Sequence, residues 1–90
     1  MKFSWDDNKN KINIEKHGIS FETATKVFED PNYIELYDME HSTEEDRFWA
    51  IGFVNKVLVV VFTERRDSVR LISARMATDI ERRMYYDNSI

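Results

Sequence analysis

The sequence has 90 residues, of which 42% are hydrophobic and 13% aromatic. A chain of this length holds one hydrophobic core, so we predict a single domain spanning residues 1–90. The absence of cysteine excludes disulfides, thiolate metal sites and cysteine nucleophiles, and it is typical of a cytoplasmic protein. The chain contains no run of about 18 apolar residues, so we expect no association with a membrane.

The two halves of the chain differ in charge, although the formal net charge of the whole chain is only -4. Residues 1–46 hold five lysines, no arginine and twelve carboxylates, which gives -7. Residues 47–90 hold eight basic and five acidic residues, which gives +3, and every basic residue there except Lys56 is arginine. The planar arginine side chain binds phosphate through two parallel hydrogen bonds. The second half therefore favours contact with an anionic ligand.

The amino-terminal third is predicted to form a short strand and two helices. Residues 3–5 are the candidate strand. Asp6, Asp7 and Asn8 supply capping side chains for the first helix, the polar segment Asp7–His17, which Gly18 ends. Ser20 has the position of an N-cap for a second helix, whose apolar residues recur at helical spacing. Pro31 ends this second helix.

The remainder of the chain is predicted to form strands and a final helix. The segments with the β-branched and aromatic content of strands are residues 33–37, 47–54, 57–63 and 69–75. Asn55 and Lys56 have the length of a tight hairpin turn, and asparagine tolerates positive φ. Thr78 and Glu81 form a capping box that opens a helix to Asp87, after which residues 88–90 are expected to fray. We therefore predict an α+β fold, with the amino-terminal helices and the short carboxy-terminal helix packed on one face of a four-stranded antiparallel sheet.

Alternation in the last predicted strand makes Arg75 a residue of interest. Period-two spacing places Arg75 on the same face as Val69, Leu71 and Ser73. A charge at the edge of a buried surface requires a partner. The sequence leaves two partners open, a structural ion pair with Glu64 or the phosphate of a ligand.

One candidate site is a polar stripe on the first helix. Lys9, Asn13 and His17 are spaced four residues apart, and Lys16 lies beside His17. The two lysines offer cations to a phosphate backbone, and an imidazole can transfer protons. The alternative is an ordinary solvated face, because lysines are common on short polar helices and a histidine before a glycine often only caps the helix end.

A second candidate site lies where the third predicted strand meets a charged turn. Glu64, Arg65 and Arg66 bring one carboxylate and two guanidinium groups together. Cleavage of RNA without a metal requires a base for the 2′-hydroxyl and positive groups on the phosphate. Glu64 or His17 can serve as that base. Arg65 and Arg75 can bind the phosphate, whereas the alternative interpretation is simply a soluble charged turn.

The sequence predicts neither a metal site nor a cofactor. The two histidines, His17 and His41, are 24 residues apart, and the carboxylates of residues 38–46 lack the spacing of a calcium loop. We interpret this acidic segment as a solvated loop. Docking of a basic partner and shielding of the sheet edge are the alternatives.

An ordered set of short motifs resembles the BrnT family of toxins. The most specific blocks are KHGISF at residues 16–21 and ISAR at residues 72–75. The other matching positions are residues 3–6, Ala24, residues 27–31, Arg47-Phe48, Ile51-Gly52, Thr63-Glu64-Arg65 and Glu81-Arg82. The set runs through nearly the whole chain, and its order makes it far more specific than any one motif.

The resemblance implies a RelE-like fold and a cytoplasmic, metal-independent endoribonuclease that inhibits translation and growth. It also implies a cognate BrnA-type antitoxin with a ribbon-helix-helix fold, through which the toxin would reach operator DNA. The acidic first half could then face a basic antitoxin. Together, motif positions and chemistry assign His17, Glu64, Arg65 and Arg75 to catalysis, and Lys9, Lys16 and Arg66 to contacts with RNA phosphates.

One position departs from the family pattern. Relatives often carry histidine or a polar aromatic residue before the Thr-Glu-Arg motif, where this chain has Phe62, so a catalytic role at that position is lost. The competing hypothesis is a non-catalytic interaction module that acts as a co-repressor in a toxin-antitoxin complex on DNA. Growth arrest on expression of the chain alone would favour the enzyme.

Overall fold

The computed structural model describes residues 1–88 and shows an α+β fold with three α-helices, a 3-10 helix and a five-stranded sheet in that range. The elements in chain order are β1 (Phe3–Ser4), α1 (Asp7–His17), α2 (Phe21–Ala24), the 3-10 helix Thr25–Glu29, β2 (Ile34–Tyr37), β3 (Arg47–Val54), β4 (Lys56–Arg65), β5 (Ser68–Met76) and α3 (Asp79–Asp87). Of the residues expected to fray, Asn88 instead caps α3 by donating from its backbone and side chain to the Met84 carbonyl, and residues 89 and 90 lie outside the described residues. No helix within residues 1–88 is long and apolar enough to cross a membrane.

The predicted helix N-caps and the end of α1 are confirmed, whereas the second helix, predicted to run up to Pro31, is α-helical only to Ala24 and continues as a 3-10 helix to Glu29. The Asp6 side chain accepts hydrogen bonds from the backbone of the first turn of α1, and Gly18 closes that helix with a φ of 69°. Ser20 caps α2 by accepting from the backbone of Thr23 at 3.0 Å. Thr78 and Glu81 form the capping box of α3. These contacts join residues close in sequence, which is why they could be read from it.

The sheet has five strands in the order β1-β5-β4-β3-β2, so the predicted four-stranded antiparallel sheet is wrong in strand number and direction. β2, β3, β4 and β5 form the predicted antiparallel meander, with Asn55 at φ 61° in the β3–β4 turn. β1 lies parallel to β5, pairing Phe3 with Val69 and Ser4 with Arg70. A strand of two residues is too short to reveal its pairing direction by alternation.

A bulge in β5 reverses the predicted orientation of Arg75. Leu71 pairs with Phe62 and Ser73 pairs with Val61, which leaves Ile72 as an extra residue between the two pairs. An extra residue shifts the side-chain alternation by one position. Leu71 therefore points into the core on one face of the sheet, whereas Arg75 lies on the opposite face. The predicted shared face of Val69, Leu71, Ser73 and Arg75 is wrong.

The two faces of the sheet are covered unequally. The first face packs against the amino-terminal helices, with Phe21, Ala24 and Val27 fully buried against Phe62 and Leu71. This packing confirms the predicted position of those helices.

The prediction that all helices share one face is wrong, because α3 covers one end of the second face, where Tyr85 packs with Ile51 and Val59. The rest of that face is formed by half-buried side chains that we call the open face: Arg47, Trp49, Val61, Arg70, Ile72, Ser73 and Arg75.

Asn13 joins α1 to β5 rather than facing solvent. Its side-chain amide donates to the carbonyls of Ile19 and Ala74 at 2.8 and 2.9 Å, and its oxygen accepts from the Ala74 backbone at 3.1 Å. The residue is only 5% exposed. The predicted polar stripe on α1 is therefore wrong at this position, because Asn13 satisfies buried backbone groups at the edge of the helix–sheet interface.

Substitution of Asn13 by leucine is expected to destabilise the fold by about 2–4 kcal/mol, because buried backbone groups lose their partners. Urea unfolding followed by circular dichroism would measure this loss. Asn8→Leu is the matched control, since Asn8 lies exposed in the first turn of the same helix and is expected to change stability by less than about 0.5 kcal/mol. Equal stability of both variants would contradict the structural role of Asn13.

Candidate active site

The residues that the sequence proposes for catalysis do not meet in one cleft. His17 lines a pocket beside the β3–β4 turn, together with Asn55 and Lys56. Glu64 lies at the opposite end of β4, eight residues beyond Lys56, which corresponds to roughly 26 Å along an extended strand. The two candidate bases therefore occupy opposite ends of the sheet. Lys9 and Lys16 are exposed on α1.

Glu64 and Arg65 belong to β4 rather than to a turn. They pair with Val69 and Ser68 of β5. The charged turn therefore consists of Arg66 and Asp67, which are both exposed. Glu64 and Arg65 line a shallow pocket near the amino terminus of the chain. Arg65 also lies 3.5 Å from the Glu45 carboxylate, with both side chains largely exposed. An ion pair with this exposure contributes little to stability, so Arg65 remains available to another anion.

Arg75 is held by Glu81 of α3, not by Glu64. Its two terminal nitrogens donate to the two carboxylate oxygens of Glu81 at 2.7 and 2.8 Å. The Glu81 carboxylate also accepts from the Thr78 backbone at 2.8 Å, and the Arg75 guanidinium lies 5.4 Å from the centre of the Trp49 ring. The contact fixes α3 to β5, and the ion pair with Glu64 that the sequence left open is wrong, because the carboxylate paired with Arg75 is that of Glu81.

The Glu81 carboxylate makes the free energy of unfolding depend on pH in the acidic range. The hydrogen bonds from Arg75, with help from the Thr78 backbone, outweigh burial and lower the Glu81 pKa from 4.5 to about 2. In the unfolded chain the pKa returns to its ordinary value, so the unfolded state binds more protons between these two values. The stabilisation is therefore complete above about pH 4.5 and is lost as the pH falls towards 2.

We expect the free energy of unfolding to fall by on the order of 3 kcal/mol between pH 5 and pH 2 through Glu81 alone. Urea unfolding at a series of pH values would measure the fall. Lowered pKa values at Asp30 and Asp38 contribute in the same direction. The comparison is therefore made with Glu81→Gln, which should show a shallower pH dependence. An identical slope in both proteins would contradict the assignment to Glu81.

The open face places arginines of β3 and β5 on either side of the central strand β4. Arg47 of β3 and Arg70 of β5 flank Thr63 of β4 in one cross-strand row. The adjacent row contains Trp49 and Ser73. Because the acidic half of the chain supplies no arginine, this cation cluster is produced entirely by strand pairing within the second half.

Arg47 differs from Arg75 because no carboxylate among residues 1–88 neutralises its charge. Its Nε is buried and has no hydrogen-bond partner among residues 1–88. A buried polar group without a protein partner is rare, and a bound water, an ion or a functional role is the usual explanation. Arg47 and Arg75 both line an open pocket of about 180 Å³ on the open face, together with Trp49 and Ser73.

The acidic segment of residues 38–46 also contributes to this pocket. Asp38 accepts from the His41 ring nitrogen Nδ1 at 2.9 Å and from Trp49 Nε1 at 3.2 Å, and both Asp38 and His41 line the pocket. Burial raises the Asp38 pKa, but hydrogen bonds from His41 and Trp49 outweigh it and leave that pKa below 3.8. Asp38 is therefore an anion that orients an imidazole at the pocket rim.

The sequence interpretation missed the residues that complete this pocket, namely Asp38, His41, Arg47 and Trp49. Arg47 alternates with Trp49 along a predicted strand, which was a usable signal for a shared face. The spacing of Asp38 and His41 also allows contact, but their joint position over the sheet depends on the β2–β3 connection. Within residues 1–88, no three histidine and carboxylate side chains group closely enough to hold a metal ion.

Comparison with known proteins defines the class to which this fold and arginine-lined pocket belong. Residues 5–81 match the family model described as the ribonuclease toxin BrnT of type II toxin-antitoxin systems. The match covers most of the chain, including the open face. The chain therefore belongs to the BrnT toxin family, as its motifs indicated. No curated protein matches the sequence.

Proposed function

We propose that this protein is an endoribonuclease toxin that acts in the cytoplasm, inhibits translation and growth, and is neutralised by a basic, BrnA-type ribbon-helix-helix antitoxin. The observation that carries the proposal is that Arg47, whose guanidinium forms no ion pair with a carboxylate among residues 1–88, lines a pocket shared with Arg75. This geometry suits one phosphate of an RNA strand. Preorganised donors of this kind stabilise charge that develops on a phosphate during cleavage.

Arg47 supplies the free donors for that phosphate, and Arg75 supports it from one side. Arg75 has two nitrogens engaged with Glu81, which leaves Nε and part of one terminal nitrogen for a ligand. The Trp49 ring beside Arg75 offers a flat surface for a nucleobase. RNA would thus lie across the open face, with its backbone directed at Arg47.

The sequence-derived roles of the other residues stay predictions. The sequence predicts His17 or Glu64 as the base and Arg65 with Arg75 as phosphate-binding residues, and these residues are divided among three pockets. Lys9, Lys16 and Arg66 are exposed and would contact RNA phosphates beyond the reacting one. Their positions on separate surfaces support contacts along an extended strand rather than a single catalytic cluster.

Purified toxin freed of antitoxin would test the activity on single-stranded RNA and on messenger RNA engaged with ribosomes. We expect cleavage that persists in EDTA and that spares DNA of the same sequence, because DNA lacks the 2′-hydroxyl nucleophile. The products should carry 2′,3′-cyclic phosphate and 5′-hydroxyl ends. Intact RNA under both conditions would contradict the ribonuclease proposal.

A co-repressor without catalysis is the second candidate, favoured by the ion pair that engages Arg75 and by the exposed carboxylates Glu40 and Glu44 near the pocket. These carboxylates could dock a basic antitoxin. Expression of the chain without antitoxin distinguishes the candidates. Growth arrest supports the enzyme, whereas operator binding by the complex with normal growth supports the co-repressor.

A further inference from the structure

The acidic segment is folded against the sheet rather than freely solvated. The Ser42 hydroxyl donates to the Asp38 carbonyl at 2.6 Å and accepts from the Arg47 backbone at 2.9 Å. At the other end, the Asp46 carbonyl accepts from the Thr63 hydroxyl at 2.6 Å. The Asp38 backbone also donates to the Arg47 carbonyl at 2.9 Å. These bonds fix the segment beside the open face.

His41 is oriented by this folded segment. Asp38 is ionised and can only accept, so the His41 Nδ1 that lies 2.9 Å away must donate. In neutral imidazole the other ring nitrogen, Nε2, then carries the free lone pair. The side chain is 57% exposed, and Nε2 has no hydrogen-bond partner within residues 1–88. A base of this kind is available at the rim of the pocket that Arg47 lines.

We propose that His41, positioned by Asp38, is the proton-transfer group of the RNA-cleaving site. The inference rests on the proposed ribonuclease function and deepens it. His41 is the titratable imidazole that lines the same pocket as Arg47 and Arg75, whereas His17 and Glu64 line other pockets. Asp38 is a positioning residue, because its carboxylate acts through His41.

The proposed cleavage needs no reactant other than RNA and water. His41 Nε2 accepts the proton of the ribose 2′-hydroxyl as O2′ forms a bond to the adjacent phosphorus. The bond from phosphorus to O5′ breaks, and the leaving O5′ takes a proton from water. The products are a 2′,3′-cyclic phosphate and a 5′-hydroxyl, and the imidazolium returns its proton to solvent. Arg47 binds the non-bridging oxygens as negative charge develops on them.

The test compares His41→Asn with the wild-type toxin, both separated from antitoxin, on a single-stranded RNA oligonucleotide. Asparagine keeps a side-chain N–H able to bond Asp38 but has no group that accepts a proton at Nε2. We expect kcat to fall by about 10²-fold, the range typical of general-base loss, with KM within threefold of wild type and the thermal unfolding midpoint unchanged. Thr43→Ala, an exposed change in the same segment, is the matched control and should retain full activity.

The outcomes separate this inference from the proposed function. Active wild type with a lowered kcat in His41→Asn supports the role of His41. Active wild type with an undiminished kcat in His41→Asn, or with a loss confined to KM, overturns it while leaving the ribonuclease intact. A large loss of kcat in His17→Asn alone would overturn it in favour of the other histidine. An inactive wild type overturns both the function and this inference.

Discussion

Arg47→Ala is expected to lower kcat for RNA cleavage by about 10²- to 10³-fold, the loss typical when one preorganised donor is removed from a developing negative charge. The folded protein should be nearly unaffected. Arg47 forms no ion pair within residues 1–88, and its Nε has no partner to lose. The free energy of unfolding is expected to change by less than about 1 kcal/mol. Single-turnover cleavage assays and urea unfolding measure the two effects.

Arg83→Ala is the matched control for Arg47→Ala, because it removes an equal charge from the exposed side of α3. It should leave cleavage within about twofold of wild type if general attraction between toxin and RNA contributes little at physiological salt. Arg47→Lys keeps the charge but removes the planar donor fork, and its activity should lie between those of wild type and the alanine variant. Full activity in Arg47→Ala would contradict the phosphate-binding role.

The sequence predicted correctly those features that depend on residues close together along the chain. The N-caps at Asp6, Ser20 and Thr78 and the positive φ of Asn55 each depend on residues within a few positions. The strands of the meander were recognised for the same reason, because alternation and side-chain type act within one segment. The family resemblance, confirmed by the match over residues 5–81, added the expected class of activity.

The candidate pocket on the open face could not be predicted from the sequence, because it depends on which side chains share a sheet face. One extra residue, Ile72, moves Arg75 to the opposite face from Leu71. Strict alternation across β5 could not reveal this bulge, since the ladder partner decides where the extra residue is accommodated. The same limitation hid Arg47, whose place in the pocket depends on pairing of β3 with β4, and His41, whose place depends on the folded acidic segment.

The bulge in β5 and the ion pair between Arg75 and Glu81 together change how substitutions of Arg75 are interpreted. On the predicted face, the charge of Arg75 required either a ligand phosphate or Glu64 as its partner. With a phosphate partner, a loss of toxicity in Arg75→Ala would indicate a role in catalysis. In the structure the partner is Glu81, which is only 7% exposed. Removing Arg75 leaves that buried carboxylate without its cation, so the variant loses stability as well as a donor. Toxicity alone therefore cannot separate the two roles.

Arg75→Met is expected to destabilise the protein by about 2–3 kcal/mol, less than the loss of one partner costs in a fully buried ion pair, because the Arg75 side chain is 29% exposed. Methionine keeps apolar contact beside Trp49 while removing the charge. Adding Glu81→Gln should restore part of the loss, because the amide oxygen can still cap Thr78 and no charge remains buried. A coupling free energy of about 1–3 kcal/mol in this double-mutant cycle, measured by urea unfolding, would establish the ion pair.

The double variant then isolates the chemical role of Arg75. If Arg75 also supports the phosphate, Arg75→Met with Glu81→Gln should fold and still cleave RNA at least tenfold more slowly than Glu81→Gln alone. If Arg75 only fixes α3 to β5, the two proteins should cleave at equal rates. Additive stability losses in the cycle would instead contradict the ion pair itself. Measuring rate and stability on the same four proteins assigns Arg75 to structure, to catalysis or to both.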